Sequence, residues 1–219
     1  MKLWYIDGSP YARIIRATLI EFGLAHEAIE LEGFPPMGIA ELSPALQVPV
    51  LETGGRRMFG SALIREYLHA RQDGSHTDYP ASLARPGSHW DDLQVLTAIQ
   101  TLTDALVAHF HIRWAGFGSV ARNRLGVDPV SREMVRALSL LDWLEELATD
   151  DGFWPGVFSP ADMALAAALL WTEAREEIGW RGRPRLERIV ARADVRASFL
   201  HTAPRPWRGS PKDTRARRE

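Results

Sequence analysis

The 219-residue sequence contains no cysteine, which excludes a cysteine nucleophile and a disulfide. It also lacks a Gly-rich phosphate loop and a His-Glu-x-x-His motif. Among its seven histidines, His109 and His111 are neighbours, but residues two apart on a helix point to different faces. We therefore predict no metal site.

Long apolar runs are absent as well. The nine residues from Met163 to Trp171 are apolar on every face, yet a membrane span takes about 20 residues. No signal peptide precedes the first strand, so the sequence predicts a cytoplasmic protein with no membrane partner.

The net charge of −2 conceals a basic C-terminus. Residues 203–219 carry six basic and two acidic side chains, together with three prolines. This composition favours a flexible, solubilising tail over a nucleic-acid site, so we predict no nucleic-acid partner.

The N-terminal stretch has the clearest local pattern. Lys2 to Ile6 form an apolar run typical of a buried strand, which ends at the turn signal Asp7-Gly8. Ser9 then offers a capping oxygen and Pro10 suits the first helical position. Ser9 is therefore predicted at a helix N-terminus, where backbone N–H groups and the helix dipole favour an anion such as a thiolate.

Three further strands are predicted in the first half of the chain. The segment 26–31 completes a parallel βαβ unit, whereas 48–52 and 56–59 form a hairpin. Pro49 indicates that the third strand is an edge strand or begins irregularly. The sequence leaves open whether the Val48–Pro49 bond is cis. A helix follows from Ser61 and ends near residues 71–74.

The second half has helical periodicity throughout. Residues 71–88 are polar and rich in proline and glycine, which indicates a linker. Helices are predicted over about 90–114 and from Met134 to about Ala148. Ser159-Pro160-Ala161-Asp162 is a strong capping signal that opens the apolar segment from Met163, so this helix should be buried centrally.

Four motifs in this order resemble the cytosolic glutathione transferase family in its bacterial-like, serine-dependent form. They are Ser9-Pro10-Tyr11, Val48-Pro49-Val50-Leu51, Gly60-Ser61-Ala62-Leu63-Ile64 and Ser159-Pro160-Ala161-Asp162. The resemblance implies an α/β thioredoxin-like N-terminal domain (1–74), a linker (75–88), an all-α helical domain (89–202) and the basic tail (203–219). The absence of cysteine removes the cysteine-based subclasses of that family.

The family's functional residues can be carried onto this sequence. The resemblance implies that Ser9 activates the thiol of glutathione, the cosubstrate, for attack on a small hydrophobic electrophile in detoxification. The protein would be a homodimer. Implied glutathione-binding residues are Gln47, Val48, Pro49 and Ser61, and implied electrophile-site residues are Asp7, Gln100, Thr103, Asp104 and Val107.

One departure bears on function. The family usually has Glu or Asp immediately before the serine equivalent to Ser61, where it holds the γ-glutamyl group, and this chain has Gly60. A second departure is the 42–47 segment, which lacks the family's frequent Asn and Gly. Alternatives therefore stay open: a noncatalytic interaction scaffold like the stringent-starvation-type regulators, a glutathione-dependent isomerase or etherase, or a Ser9 that is only a helix cap.

Overall fold

The computed structural model describes residues 1–72, 78–116, 126–175 and 178–206. The chain divides into two compact units, Met1–Leu83 with the chain from Ala193 on, and Ala84–Arg192. The domain limits predicted from the sequence stay a prediction, and the part of the basic tail from residue 207 on lies outside the described residues. The elements, in chain order, are β1 (Lys2–Tyr5), α1 (Pro10–Glu21), β2 (Glu27–Glu30), α2 (Ile39–Leu42), β3 (Val50–Thr53), β4 (Arg56–Phe59), α3 (Ser61–His69), α4 (His89–Trp114), α5 (Pro129–Leu147), α6 (Pro160–Ala174), α7 (Pro184–Asp194) and α8 (Ala197–His201).

The first unit contains a four-stranded sheet of order β2-β1-β3-β4. Strand β1 pairs in parallel with β2 and antiparallel with β3, and β3 pairs antiparallel with β4. The predicted βαβ unit and hairpin are therefore confirmed. Together with the helices that follow, this sheet gives the predicted fold, a thioredoxin-like α/β domain followed by a helical region.

Strand β3 begins two residues later than the sequence predicts. It starts at Val50, and the preceding Val48–Pro49 peptide is cis. Pro49 has no N–H to donate to a neighbouring strand, so regular pairing starts only after it. The prediction that the third strand begins at Val48 is wrong, and helix α3 likewise ends earlier than predicted, at His69.

A buried aromatic cluster lies at the end of α3 in the first unit. The rings of Phe22 and Tyr79 lie 5.0 and 5.5 Å from the His69 ring, centroid to centroid. The Nδ1–H of His69 donates to the Ala81 carbonyl at 3.2 Å. Burial, as the main cause, lowers the pKa of His69 to about 4, so the ring is neutral at physiological pH.

Replacing His69 with glutamine is expected to remove part of the protein's sensitivity to acid. Because the pKa of His69 falls from 6.5 when unfolded to about 4 when folded, its contribution is full above pH 6.5 and is lost as pH falls towards 4. The free energy of unfolding of wild type should therefore fall relative to His69→Gln by about 2 kcal/mol between about pH 7.5 and 5. Urea unfolding of both proteins measures this difference, and parallel pH curves would contradict it.

The second unit is built around α6. Ser159 Oγ accepts from the Asp162 N–H at 3.1 Å, while the Asp162 carboxylate accepts from the Ser159 N–H at 2.7 Å. This reciprocal capping box follows from the sequence signal, and the apolar residues behind it are buried as predicted, except for the half-buried Leu170. None of the described helices combines the length and apolarity that a membrane crossing requires.

Helix α5 starts earlier than the apolar periodicity indicates. Its first residue is Pro129, and the Asp128 carboxylate accepts from the Val130 N–H at 3.1 Å. The Asp128-Pro129 pair has the same cap-and-proline pattern as the starts of α1 and α6, so the sequence did contain the signal.

Candidate functional site

Strand register brings the three predicted glutathione-binding segments to one edge of the sheet. Val50 is opposite Trp4 of β1 on one side and Phe59 of β4 on the other. The end of β1, the start of β3 and the end of β4 are therefore level with one another. Consequently three residues lie at this edge: Ser9, which follows β1, Val48, which precedes β3, and Ser61, which follows β4.

Ser9 is held by a turn and by the helix that it caps. Its backbone N–H donates to the Ile6 carbonyl at 3.1 Å, which closes a turn with Asp7 and Gly8 at its centre. Its Oγ accepts from the Ala12 N–H at 3.2 Å. Accepting that bond leaves the hydroxyl proton available for donation to a ligand, since a hydroxyl donates once and accepts twice. The side chain is thus fixed at the N-terminus of α1 as predicted.

The residues around the cis peptide differ in exposure. Gln47 is exposed, Val48 is half-buried and Pro49 is buried. Within the described part of the chain, no hydrogen bond joins the Val48 backbone N–H or C=O to another residue. An extended peptide could therefore pair with these groups in the manner of an added strand.

The N-terminus of α3 has no side-chain cap. Its capping residue is Gly60, whose φ of +87° lies in the left-handed region that favours glycine. Ser61, the first helical residue, is half-buried. The first-turn N–H groups have no partner within a helix, so this terminus can accept a carboxylate.

Two arginines of α1 interact electrostatically with Asp7 in the turn before that helix. The first turn of α1 has no acidic residue. Arg13 is buried, donates to the Phe199 carbonyl at 3.3 Å and lies over the Phe199 ring at 4.9 Å from its centroid. Arg16 lies 3.6 Å from the Asp7 carboxylate and 4.3 Å from the centroid of the Tyr5 ring.

Arg205 completes this group and was missed by the sequence analysis, which assigned it to a flexible tail. Its backbone N–H donates to the Asp7 carboxylate at 2.7 Å, and its guanidinium pairs with the carboxylates of Asp7 and Glu30. The only sequence signal was the pair of prolines on either side of it, which restrict the local backbone.

The predicted electrophile-site residues other than Asp7 lie on α4, in the second unit. Thr103 is buried and its hydroxyl donates to the Ile99 carbonyl at 2.8 Å. The Gln100 amide donates to the Asp104 carboxylate at 3.0 Å, and Val107 is half-buried. Their role stays a prediction. No group of three or more acidic or histidine side chains suited to a metal occurs in the described ranges.

Comparison with known proteins concerns the N-terminal domain and the fold. Residues 3–76 match the domain family described as "Glutathione S-transferase, N-terminal domain". A search of curated proteins found no match.

Solved structures of glutathione transferases share the fold over nearly the whole chain. The enzyme from Methylobacterium radiotolerans, in complex with glutathione sulfonate, is 24% identical with a TM-score of 0.77, and the match covers 94% of this chain and 96% of that one. The enzyme from Methylobacillus flagellatus, with glutathione bound, is 24% identical with a TM-score of 0.73, covering 93% and 99%. A family member from Pseudomonas fluorescens with bound glutathione is 22% identical with a TM-score of 0.72, covering 93% and 98%. The chain therefore has the glutathione transferase fold, and its first 76 residues contain the match to that family's N-terminal domain.

Proposed function

We propose that this protein is a serine-type glutathione transferase, which joins the glutathione thiolate to a small apolar electrophile. The observation that carries the proposal is the common sheet edge, which Ser9, Val48 and Ser61 reach because Val50 pairs with both Trp4 and Phe59. Residues 3–76 match the family's N-terminal domain, and solved structures with the same fold contain bound glutathione, which supports this ligand.

Each residue has a physical role in this proposal. The Ser9 hydroxyl donates to the thiolate beside the α1 N-terminus, which lowers the thiol pKa from its ordinary value of about 8.5. The Val48 backbone pairs with the glutathione tripeptide, and Pro49 fixes the backbone conformation next to Val48. Gln47 contacts the carboxylate of glutathione that is farther from the γ-glutamyl group. The N-terminus of α3 with Ser61 receives the γ-glutamyl carboxylate.

The reaction itself is a displacement or an addition. The thiolate sulfur forms a bond to the electrophilic carbon, and a leaving group departs with its bonding electrons where one is present. The thiol proton passes to solvent, so the protein's contribution is to raise the fraction of reactive thiolate and to hold it in place. Asp7, Gln100, Thr103, Asp104 and Val107 are the proposed surroundings of the electrophile.

Ser9→Ala is expected to lower turnover with an aromatic halide electrophile at least about tenfold, because one pKa unit of the thiol changes the thiolate fraction by that factor. Losing the cap should also cost about 1 kcal/mol of stability. Steady-state kinetics and urea unfolding measure the two effects separately.

Asp128→Ala is the matched control, since it removes the equivalent cap of α5. It should lower stability by a similar amount while leaving turnover unchanged. If Ser9→Ala folds and turns over at the wild-type rate, Ser9 is only a helix cap and the proposed mechanism is wrong.

The second candidate is a noncatalytic interaction scaffold, which the missing acidic residue at Gly60 favours. A glutathione-dependent isomerase or etherase would use the same Ser9 site but another electrophile: an isomerase would release glutathione again, and an etherase would expel the ether oxygen as the leaving group. Calorimetry with glutathione separates the scaffold, which binds none, from the three kinds of enzyme, which all bind it. We also propose that the protein is a homodimer that acts in the cytoplasm, in detoxification. Light scattering of the purified protein tests the dimer.

A further inference from the structure

Arg205 contacts residues at the same edge of the sheet as Ser9. Glu30 of β2 is level with Tyr5 of β1, and Asp7 follows β1, so both acidic residues lie at this edge. Arg205 bonds to both, through its guanidinium and, for Asp7, also through its backbone N–H at 2.7 Å.

Asp7 is the one negative charge within the turn that presents Ser9. Asp7 and Ser9 lie in one four-residue turn, which is closed by the Ser9 N–H bond to the Ile6 carbonyl. Like charges close to each other are unfavourable, so an uncompensated Asp7 would raise the pKa of a thiol held by Ser9.

Among the described residues, two arginines compensate the negative charge of Asp7. Arg205 lies 3.3 Å from one carboxylate oxygen of Asp7, and Arg16 lies 3.6 Å from the other. Arg16 is anchored within α1, whereas Arg205 reaches Asp7 from the far end of the chain. Among the described residues, Tyr5 of β1 and Arg13 of α1 also interact electrostatically with Asp7, Glu30 of β2 does so with Tyr5, and Asp194 at the end of α7 does so with Arg13.

We propose that Arg205 is a positioning residue of the thiol site: by pairing with Asp7, it anchors the turn that presents Ser9 and offsets the one negative charge in that turn. The electrostatic part rests on the proposed function, because it concerns a thiolate bound at Ser9. The anchoring part does not, since the Arg205–Asp7 contact exists without a ligand.

Arg205→Gln in the full-length protein tests both parts. In the ligand-free protein, amide hydrogen exchange over residues 6–12 should become at least about threefold faster as the turn loosens. In the glutathione complex, the thiol pKa read from thiolate ultraviolet absorbance should rise by about one unit, because the Asp7 charge is less compensated.

The double variant Asp7→Asn with Arg205→Gln shows whether Arg205 acts on the thiol pKa through Asp7. If Arg205 acts through Asp7, adding Arg205→Gln to Asp7→Asn should leave the thiol pKa where Asp7→Asn alone puts it. Lys2→Gln is the control, because it removes one positive charge and an exposed pair with Glu27 at the other end of the same two strands. It should change neither readout.

The outcomes distinguish this inference from the proposed function. Unchanged exchange in Arg205→Gln overturns the anchoring role, with or without glutathione. An unchanged thiol pKa, or a rise that persists in the Asp7→Asn background, overturns the electrostatic role. A wild type that binds no glutathione overturns the proposed function and the electrostatic role with it, while the exchange measurement still decides the anchoring.

Discussion

Asp162→Ala is expected to lower the free energy of unfolding by about 3 kcal/mol or more. The carboxylate is fully buried and accepts from the Ser159 N–H at 2.7 Å and the Phe153 N–H at 3.0 Å. Alanine would leave both donors buried without an acceptor, and each orphaned group costs about 1–3 kcal/mol. Because this carboxylate joins the start of α6 to the preceding loop, the loss should appear as a lower urea midpoint.

Gly152→Ala probes the same contact from the loop side. A Cβ on Gly152 would lie 2.6 Å from a carboxylate oxygen of Asp162, and its φ is +96°. Gly156→Ala is the matched control, because its φ of +72° is also left-handed but its Cβ would meet nothing within 4 Å. Gly156→Ala should therefore show the backbone cost alone, about 1 kcal/mol, and Gly152→Ala clearly more.

These measurements belong at about pH 7.5, because burial raises the pKa of Asp162 to about 6 and the carboxyl is then ionised in the folded protein. Equal losses for Gly152→Ala and Gly156→Ala would show that the loop yields to the added methyl group. A wild-type urea midpoint for Asp162→Ala would refute the role of the carboxylate in joining loop and helix.

Local signals in the sequence predicted the elements that depend on neighbouring residues. Ser9-Pro10 and Ser159-Pro160 each supply a capping oxygen and a preset φ, so both helices begin where the pattern indicates. The start of β3 was predicted too early because backbone pairing, rather than apolar content, decides where a strand begins, and Pro49 cannot donate.

The candidate site was predictable as a set of segments but not as a geometry. The order of the motifs indicated which segments form the candidate site, while their common edge follows from the pairing of Val50 with Trp4 and Phe59, which no local pattern specifies. The position of Arg205 at the site could not be predicted for a similar reason. Its contact with Asp7 joins residues 198 positions apart, and a single arginine between two prolines gives no indication of its partner.

Gly60 is the residue on which the choice between an enzyme and a scaffold depends most. The N-terminus of α3 can receive the γ-glutamyl carboxylate, but the ligand's ammonium group has no acidic side chain at this position. A hydrogen bond to a charged group is worth about 1.5–3 kcal/mol. Wild type is therefore expected to bind glutathione weakly, and Gly60→Glu should bind it about ten- to a hundredfold more tightly.

The substitution has a structural cost that must be separated from its effect on binding. Nothing lies within 4 Å of a Cβ built on Gly60, so a side chain has room. The φ of +87° is unfavourable for any residue with a Cβ and costs about 1 kcal/mol or more. Gly60→Ala carries the same backbone cost without a polar group, and Gly60→Gln adds the length and hydrogen-bonding capacity of glutamate without its charge.

Calorimetric titration of glutathione into wild type and the three variants isolates the carboxylate. If the ammonium group is the unpaired part of the ligand, Gly60→Glu should bind more tightly than Gly60→Gln, and Gly60→Ala should bind no better than wild type. Low-micromolar binding by wild type with no gain in Gly60→Glu would mean that another acid in the chain already holds the ammonium, which favours the enzyme and contradicts the role assigned to this position. If neither wild type nor Gly60→Glu binds glutathione, the edge shared by Ser9, Val48 and Ser61 has kept its geometry without this ligand, and the interaction scaffold replaces the transferase.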